Sequence, residues 1–269
     1  MNVASKYVRT FILGLQNALT YRANFMLSLA SCVFPILIQF FLWRSVFNST
    51  DQEIVYGYTF SQMIAYVILS ALAGKLVATG FEYEISNDIK TGQLSKFSVQ
   101  PISYFLFRGC VFIGEKVVQL IILFLVFVAV IVALHVYLDF SIQIGQVLLF
   151  IGFIPLSLLL NFMIYYCLAA LGFWFIEVWG IYHTFSLVAM VVGGGVFPLD
   201  VFGDSIQRVV LLLPFQYTIF HPISIVTGKI DLQAGLSGVW VVLGWIAVLF
   251  LLSKWAWRKG MKRFESVGG

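Results

Sequence analysis

The sequence predicts an all-α membrane protein of six transmembrane helices. An N-terminal interfacial helix, a cytoplasmic coupling helix between spans two and three, and short re-entrant or interfacial helices before span six complete the architecture. The 269 residues are 61% hydrophobic and only 10% charged, with mean hydropathy +0.98. Soluble domains hold about a quarter charged residues. The apolar residues also gather into six runs of the ~20 residues a helix needs to cross a bilayer. No stretch is long and polar enough for a separate soluble domain, so residues 1–269 are expected to form one domain.

Residues 2–22 read as a helix lying in the interface. Val3, Tyr7, Phe11, Leu15 and Ala18 make an apolar stripe, with Asn2, Lys6, Arg9, Gln16 and Thr20 mostly opposite. Lys6, Arg9 and Arg22 are spread through the segment, unlike the basic start and apolar core of a cleavable signal. Span one covers about 25–47 and contains Pro35, which marks a kink. Span two covers about 58–79. Its Ser70, Gly74 and Ala78 form a small-residue ridge that lets another helix come close, and Lys75 is placed to snorkel toward headgroups.

Span three covers about 108–136, with Glu115 and Lys116 near the inner surface. Span four covers about 147–173, with Pro155 and Asn161 inside. Span five, about 177–196, ends in Gly193-Gly194-Gly195. Residues 197–231 hold Pro198, Pro214 and Pro222; they are too broken to span and too oily for a plain loop. Such a segment enters the membrane only where protein shelters its backbone. Span six covers about 232–252, and the tail carries Lys254, Arg258, Lys259, Lys262 and Arg263.

Orientation follows from the basic residues. Lys6, Arg9, Arg22, Lys90, Lys96, Arg108, Lys116 and the tail fall on one side, against Arg44, Arg208 and Lys229 on the other. The basic side is cytoplasmic by the positive-inside rule. Both termini are therefore expected inside, and topology rather than nucleic-acid binding explains the net charge of +4.

The polar exception is residues 81–101. It carries Glu82, Glu84, Asp88, Lys90 and Lys96. Phe81, Ile85 and Ile89 are four apart and share a helix face, while Glu84 and Asp88 share another. Gly92 reads as a helix stop, followed by a second short piece through Leu94 and Phe97. Between two spans on the basic side, this segment is a handle for something in the water.

The chain offers little chemistry of its own. Gly74-Lys75 and Gly228-Lys229 lack the upstream glycine and following hydroxyl of a phosphate loop. No cofactor is expected on this chain. His135, His183 and His221 are far apart, and Cys32, Cys110 and Cys167 sit in apolar runs without metal or disulfide spacing. Intramembrane acids are scarce, since Asp139, Asp200, Asp204 and Asp231 lie outside and Glu115 and Glu177 near the inner surface. A carrier driven by protons or sodium usually places such groups near the midplane. Energy for transport is therefore expected from a partner. Gln39, Gln62 and Asn161 could line a polar path or simply satisfy hydrogen bonds between helices.

Three stretches carry a family resemblance. They are Asp88-Ile89-Lys90-Thr91-Gly92-Gln93-Leu94 with Gln100-Pro101-Ile102; Leu213-Pro214-Phe215 with His221-Pro222 and Thr227-Gly228; and the tail from Arg263 to Gly269. With them the chain resembles the short six-span permease subunits of type-2 ABC exporters, of the daunorubicin or multidrug type. Where that family commonly has Arg-Pro before span three, this sequence has Gln100-Pro101.

The resemblance implies a non-catalytic subunit of a bacterial plasma-membrane exporter that moves an amphipathic, lipid-like, drug or peptide substrate outward. Its implied partners are two cytoplasmic ATPase subunits carrying ATP and Mg, a second permease, identical or homologous, and membrane lipid. ATPase coupling is implied for Glu84, Ile85, Asp88, Ile89, Lys90, Gly92, Gln93 and Leu94, with a smaller contact at Glu177. Two other readings stand beside it. A membrane-embedded enzyme would need clustered acids or histidines at one boundary, and a scaffold anchoring a cytoplasmic ATPase could use the same handle.

Overall fold

A computed structural model describes residues 3–50, 52–100, 102–138, 140 and 143–264. Pro101, Asp139 and the Glu265–Gly269 end of the tail motif lie outside the described residues. The described chain is helical, with one isolated bridge between Val55 and Tyr58. Five helical stretches are long and apolar enough to cross a membrane: Arg22–Thr50, Phe60–Lys90, Tyr104–Leu138, Ile144–Phe173 and Leu232–Met261.

The first of these is two helices, α2 (Arg22–Ala30) and α3 (Val33–Thr50). The break falls just before Pro35, the third residue of α3. There its missing N–H costs nothing, because the first turn of a helix has no internal acceptor for it. The kink expected at Pro35 is thus a break at Ser31 and Cys32, three to four residues upstream. α4 (Phe60–Val77) comes next, and α5 (Phe81–Lys90) and α6 (Ser95–Val99) form the polar segment. α7 (Tyr104–Leu138) and α8 (Ile144–Ala169) follow, α8 running on into a 3-10 turn at Ala170–Phe173. α8 is the central helix, packed on α12, α11, α5 and α4.

The expected fifth span is shorter than the sequence reading. α9 covers only Trp179–Val192, 14 residues or about 21 Å, against a hydrocarbon core of about 30 Å. The triple glycine ends it. Gly194 takes φ +79, and the Tyr66 hydroxyl donates to its carbonyl at 2.6 Å. A Cβ at Gly194 would lie 2.6 Å from that hydroxyl oxygen and 2.7 Å from the Phe220 Cβ. Gly194→Ala therefore combines left-handed backbone strain with overpacking and should destabilise the protein by about 2–5 kcal/mol. Chemical denaturation in detergent checks this; a loss below about 1 kcal/mol would show that the turn relaxes.

Beyond the glycines, the segment read as re-entrant or interfacial holds two short helices, α10 (Asp204–Leu211) and α11 (Phe220–Val226). α11 is buried along its whole length and packs on α8, α12 and α4, which shelters its backbone as a re-entrant piece requires. α12 (Leu232–Met261) outruns the expected span by nine residues, carrying its basic end beyond the apolar run.

α1 (Val3–Thr20) lies along α7, its main neighbour. The two run in the same direction. The Tyr7 hydroxyl accepts from the Ser103 N–H at 3.2 Å, and further along Gly14 and Gly114 bring the backbones together. The stripe of Tyr7, Phe11, Leu15 and Ala18 is half-buried, facing protein rather than lipid. Val8, Ile12 and Leu19 are left on an exposed apolar flank, with Arg9, Gln16 and Thr20 on the polar one. Tyr7 near one chain end and Phe264, beside Phe173, near the other lie at the same end of the bundle as α5 and α6.

Candidate functional site

On α7, Tyr104, Arg108, Phe112 and Lys116 recur every four residues and share one face. All four are buried, and all four grip the polar segment or the bend leading into it. Lys116 donates to the Ala78 carbonyl at 2.7 Å and to Gln119 Oε1 at 2.9 Å. Ala78 is the C-cap of α4, so this cation meets the negative end of a helix where the chain bends. Phe112 packs edge-on against Phe81, the first residue of α5, at 5.6 Å. Arg108 pairs with Glu84 and, through Nη2, with Asp88 Oδ2 at 2.6 Å. Tyr104 donates to the same Asp88 oxygen at 2.7 Å and accepts from Arg108 Nε at 3.0 Å.

The segment itself divides by exposure. Phe81, Glu82, Ile85, Asp88, Ile89 and Leu94 are buried, whereas Glu84, Asn87, Lys90, Thr91, Gln93 and Lys96 face out. This corrects the sequence reading, which offered Ile85, Asp88, Ile89 and Leu94 as contacts for a partner. A ten-residue helix with one apolar stripe must bury that stripe, and it does so on the 3-10 turn and α8. Glu82, one of the charges that mark the segment as polar, also points inward at 1% exposure. Gly92 ends α5 with φ +73, as its position suggested.

Glu177, in the turn between α8 and α9, meets Lys90 Nζ at 2.9 Å. Both side chains are exposed, so the pair contributes only about 0–1 kcal/mol. Its value is positional, because it joins the two turns that share this end of the molecule. Gly172 allows their close approach: a Cβ there would lie 3.1 Å from Ser86 Oγ and 3.3 Å from Ile89 Cδ1.

A second feature lies within the bundle. A cavity of about 470 Å³ opens between α3, α4, α8 and α9. Gln39 and Asn161 both line it, together with Thr79, Lys75, His183 and Ser186. Asn161 Nδ2 donates to the Val77 carbonyl in the last turn of α4, and Gln39 Oε1 is buried with no hydrogen-bond partner among the described residues. Gln62 is elsewhere. Its backbone N–H donates to Thr59 Oγ1 at 3.3 Å, and its Oε1 accepts from the Thr59 N–H at 3.0 Å. It is the far half of a capping box at the opposite end of α4 and does not line this cavity.

The small-residue ridge also differs from expectation. A Cβ on Gly74 would meet nothing within 4 Å, and Gly74 and Ala78 border the cavity instead of a packed helix. Ser70 is buried and bonds the Val67 carbonyl of its own helix. Close helix approach occurs at Gly14 and Gly114, where an added Cβ would strike the Val111 and Phe11 carbonyls. Lys75 reaches Ser31 Oγ at 3.4 Å.

Arg108 and Tyr104 were missed as site residues. Their signal was present in the pairing of Glu84 with Asp88 one turn apart, which calls for a nearby cation, and in an arginine opening the next span.

No curated protein matches the chain in sequence. The family model described as ABC-2 family transporter protein matches residues 33–268, which takes in every helix from α3 onward. This membrane protein therefore belongs to the ABC-2 transporter family.

Proposed function

We propose that the chain is the permease subunit of an ATP-driven exporter, worked from the cytoplasm by two ATPase subunits and paired with a second permease. The observation that carries this is the exposed face of α5–α6, mounted on α7 through a buried ionic latch. A segment held only by apolar contacts would yield under load. One held by Arg108, Asp88, Tyr104 and Lys116 passes a push on Lys90 or Gln93 into a helix 35 residues long.

The reading includes six crossings, with α9 and its glycine turn as the fifth. Tyr7 and Phe264 lie at the α5–α6 end of the bundle, which supports an even number. ATP and Mg belong to the partner subunits. The cavity beside Gln39 and Asn161 is the proposed path lining, suited to a largely apolar substrate with a small polar group.

Lys90→Glu with Gln93→Trp should leave the permease folded but weaken its co-purification with the cognate ATPase roughly tenfold or more. Glu53→Lys, exposed at the other end, is the control and should change nothing. Wild-type assembly and hydrolysis in the Lys90/Gln93 variant would exclude the segment as the docking face. Gln93→Cys should be labelled by an impermeant thiol reagent in inside-out vesicles and not in intact cells. For the path, Gln39→Leu should alter substrate stimulation of ATP hydrolysis while leaving the basal rate unchanged. Equal stimulation across a panel of amphipathic compounds would remove Gln39 from it.

A further inference from the structure

We infer that the pocket between α6, the start of α7 and the end of α12 binds an anionic phospholipid, headgroup at its rim and one acyl chain on its aromatic floor. The pocket has a volume of about 600 Å³, within the usual range for small-molecule sites. Lys254 and Arg258, one helical turn apart, stand at its rim, and no carboxylate lines it. Both are exposed, and among the described residues neither forms an ion pair. Lys254 rests instead over the Phe250 ring at 4.3 Å.

The floor is aromatic. Trp257 stacks on Tyr166 at 4.9 Å and meets Tyr104 at 5.5 Å. Depth fits the same occupant. The apolar run of α12 ends at Leu252, so Lys254 and Arg258 sit where a bilayer's headgroups begin. Two cations over an apolar floor at that level match a lipid phosphate above its chain, and basic pockets between membrane helices take such headgroups. A free phosphate would have no use for the floor. The site also touches the coupling latch, because Tyr104 forms part of its wall while its hydroxyl holds Asp88.

The test uses the purified full-length permease without any ATPase, so its outcome is independent of the proposed transport role. Native mass spectrometry follows binding of phosphatidylglycerol and of phosphatidylcholine. Wild type should prefer phosphatidylglycerol. Lys254→Gln with Arg258→Gln should weaken its binding roughly 25-fold, two basic contacts' worth. Lys262→Gln with Arg263→Gln removes equal charge outside the pocket and should leave the preference intact. Equal binding of the two lipids, or equal loss in the two double variants, overturns the site. Displacement of phosphatidylglycerol by soluble glycerol phosphate also overturns it, by showing that the pocket takes a free phosphate.

Discussion

Arg108→Met should be among the most damaging single substitutions in the chain, with a loss of about 3–5 kcal/mol in detergent-solubilised stability. The reason is an asymmetry in the latch. Arg108 has two carboxylate partners, Glu84 and Asp88, but Arg108 is the only cation paired with Asp88 among the described residues, where Tyr104 adds just a neutral hydroxyl. Removing the arginine strands a carboxylate whose side chain is 13% exposed, and breaks a bond to Tyr104 as well. Asp88→Asn is milder. Arg108 keeps Glu84, which is 63% exposed and partly hydrated, and the asparagine still accepts from Tyr104. The double variant, Asp88→Asn with Arg108→Met, should recover most of the loss, since no charge is then buried unpaired. Thermal unfolding of the three variants forms the cycle. Equal and small losses in both single variants, below about 1 kcal/mol, would mean that the latch is solvated and transmits nothing. On the proposed coupling to an ATPase partner, ATP hydrolysis by the assembled complex should follow the same order, because the handle loses its mounting.

The latch shows what the sequence made legible. The position of the segment, its apolar stripe at Phe81, Ile85 and Ile89, its glycine stop and its charged character are local properties, and each appears in the structure. Which way the stripe faces is not local. Read alone, an apolar stripe on a short polar helix fits a partner's groove as well as the body of its own protein. The choice here is made by a 3-10 turn some eighty residues downstream. Asp88 is a similar case. Its burial is tolerable only because Arg108 arrives from another helix, and nothing within the segment announces that. The polar path candidates divided for the same reason. Gln39 and Asn161 border one cavity from different helices, while Gln62, three residues after Thr59, was already half of a capping box that its spacing could have revealed.

Gly114→Leu should detach α1 from α7. The new Cβ would strike the Phe11 carbonyl and come within 3.0 Å of the Leu15 backbone nitrogen. Backbone cannot swing aside as a side chain can, so the two helices must separate along their length, at a cost of about 1–3 kcal/mol or more. The same seam is tight from the other side, where a Cβ on Gly14 would strike the Val111 carbonyl. Tyr7→Cys and Ser103→Cys, about a tyrosine side chain apart where the Tyr7 hydroxyl meets the Ser103 N–H, should be bridged by a short bifunctional thiol reagent in the wild-type background and not with Gly114→Leu. Persistence of the cross-link would show that the helices slide rather than part. The functional consequence follows from where the seam sits. α1 covers the face of α7 that adjoins the Tyr104–Lys116 stripe, so α1, α7 and the α5–α6 segment make one unit at this end of the bundle. With α1 lifted, the half-buried flank of Phe11 and Leu15 turns to lipid, which carries little penalty in a membrane. α7 meanwhile loses the neighbour that fixes its first four turns. On the proposed coupling, hydrolysis by the assembled complex should then fall although every latch residue is present, which separates loss of α1 from loss of the latch.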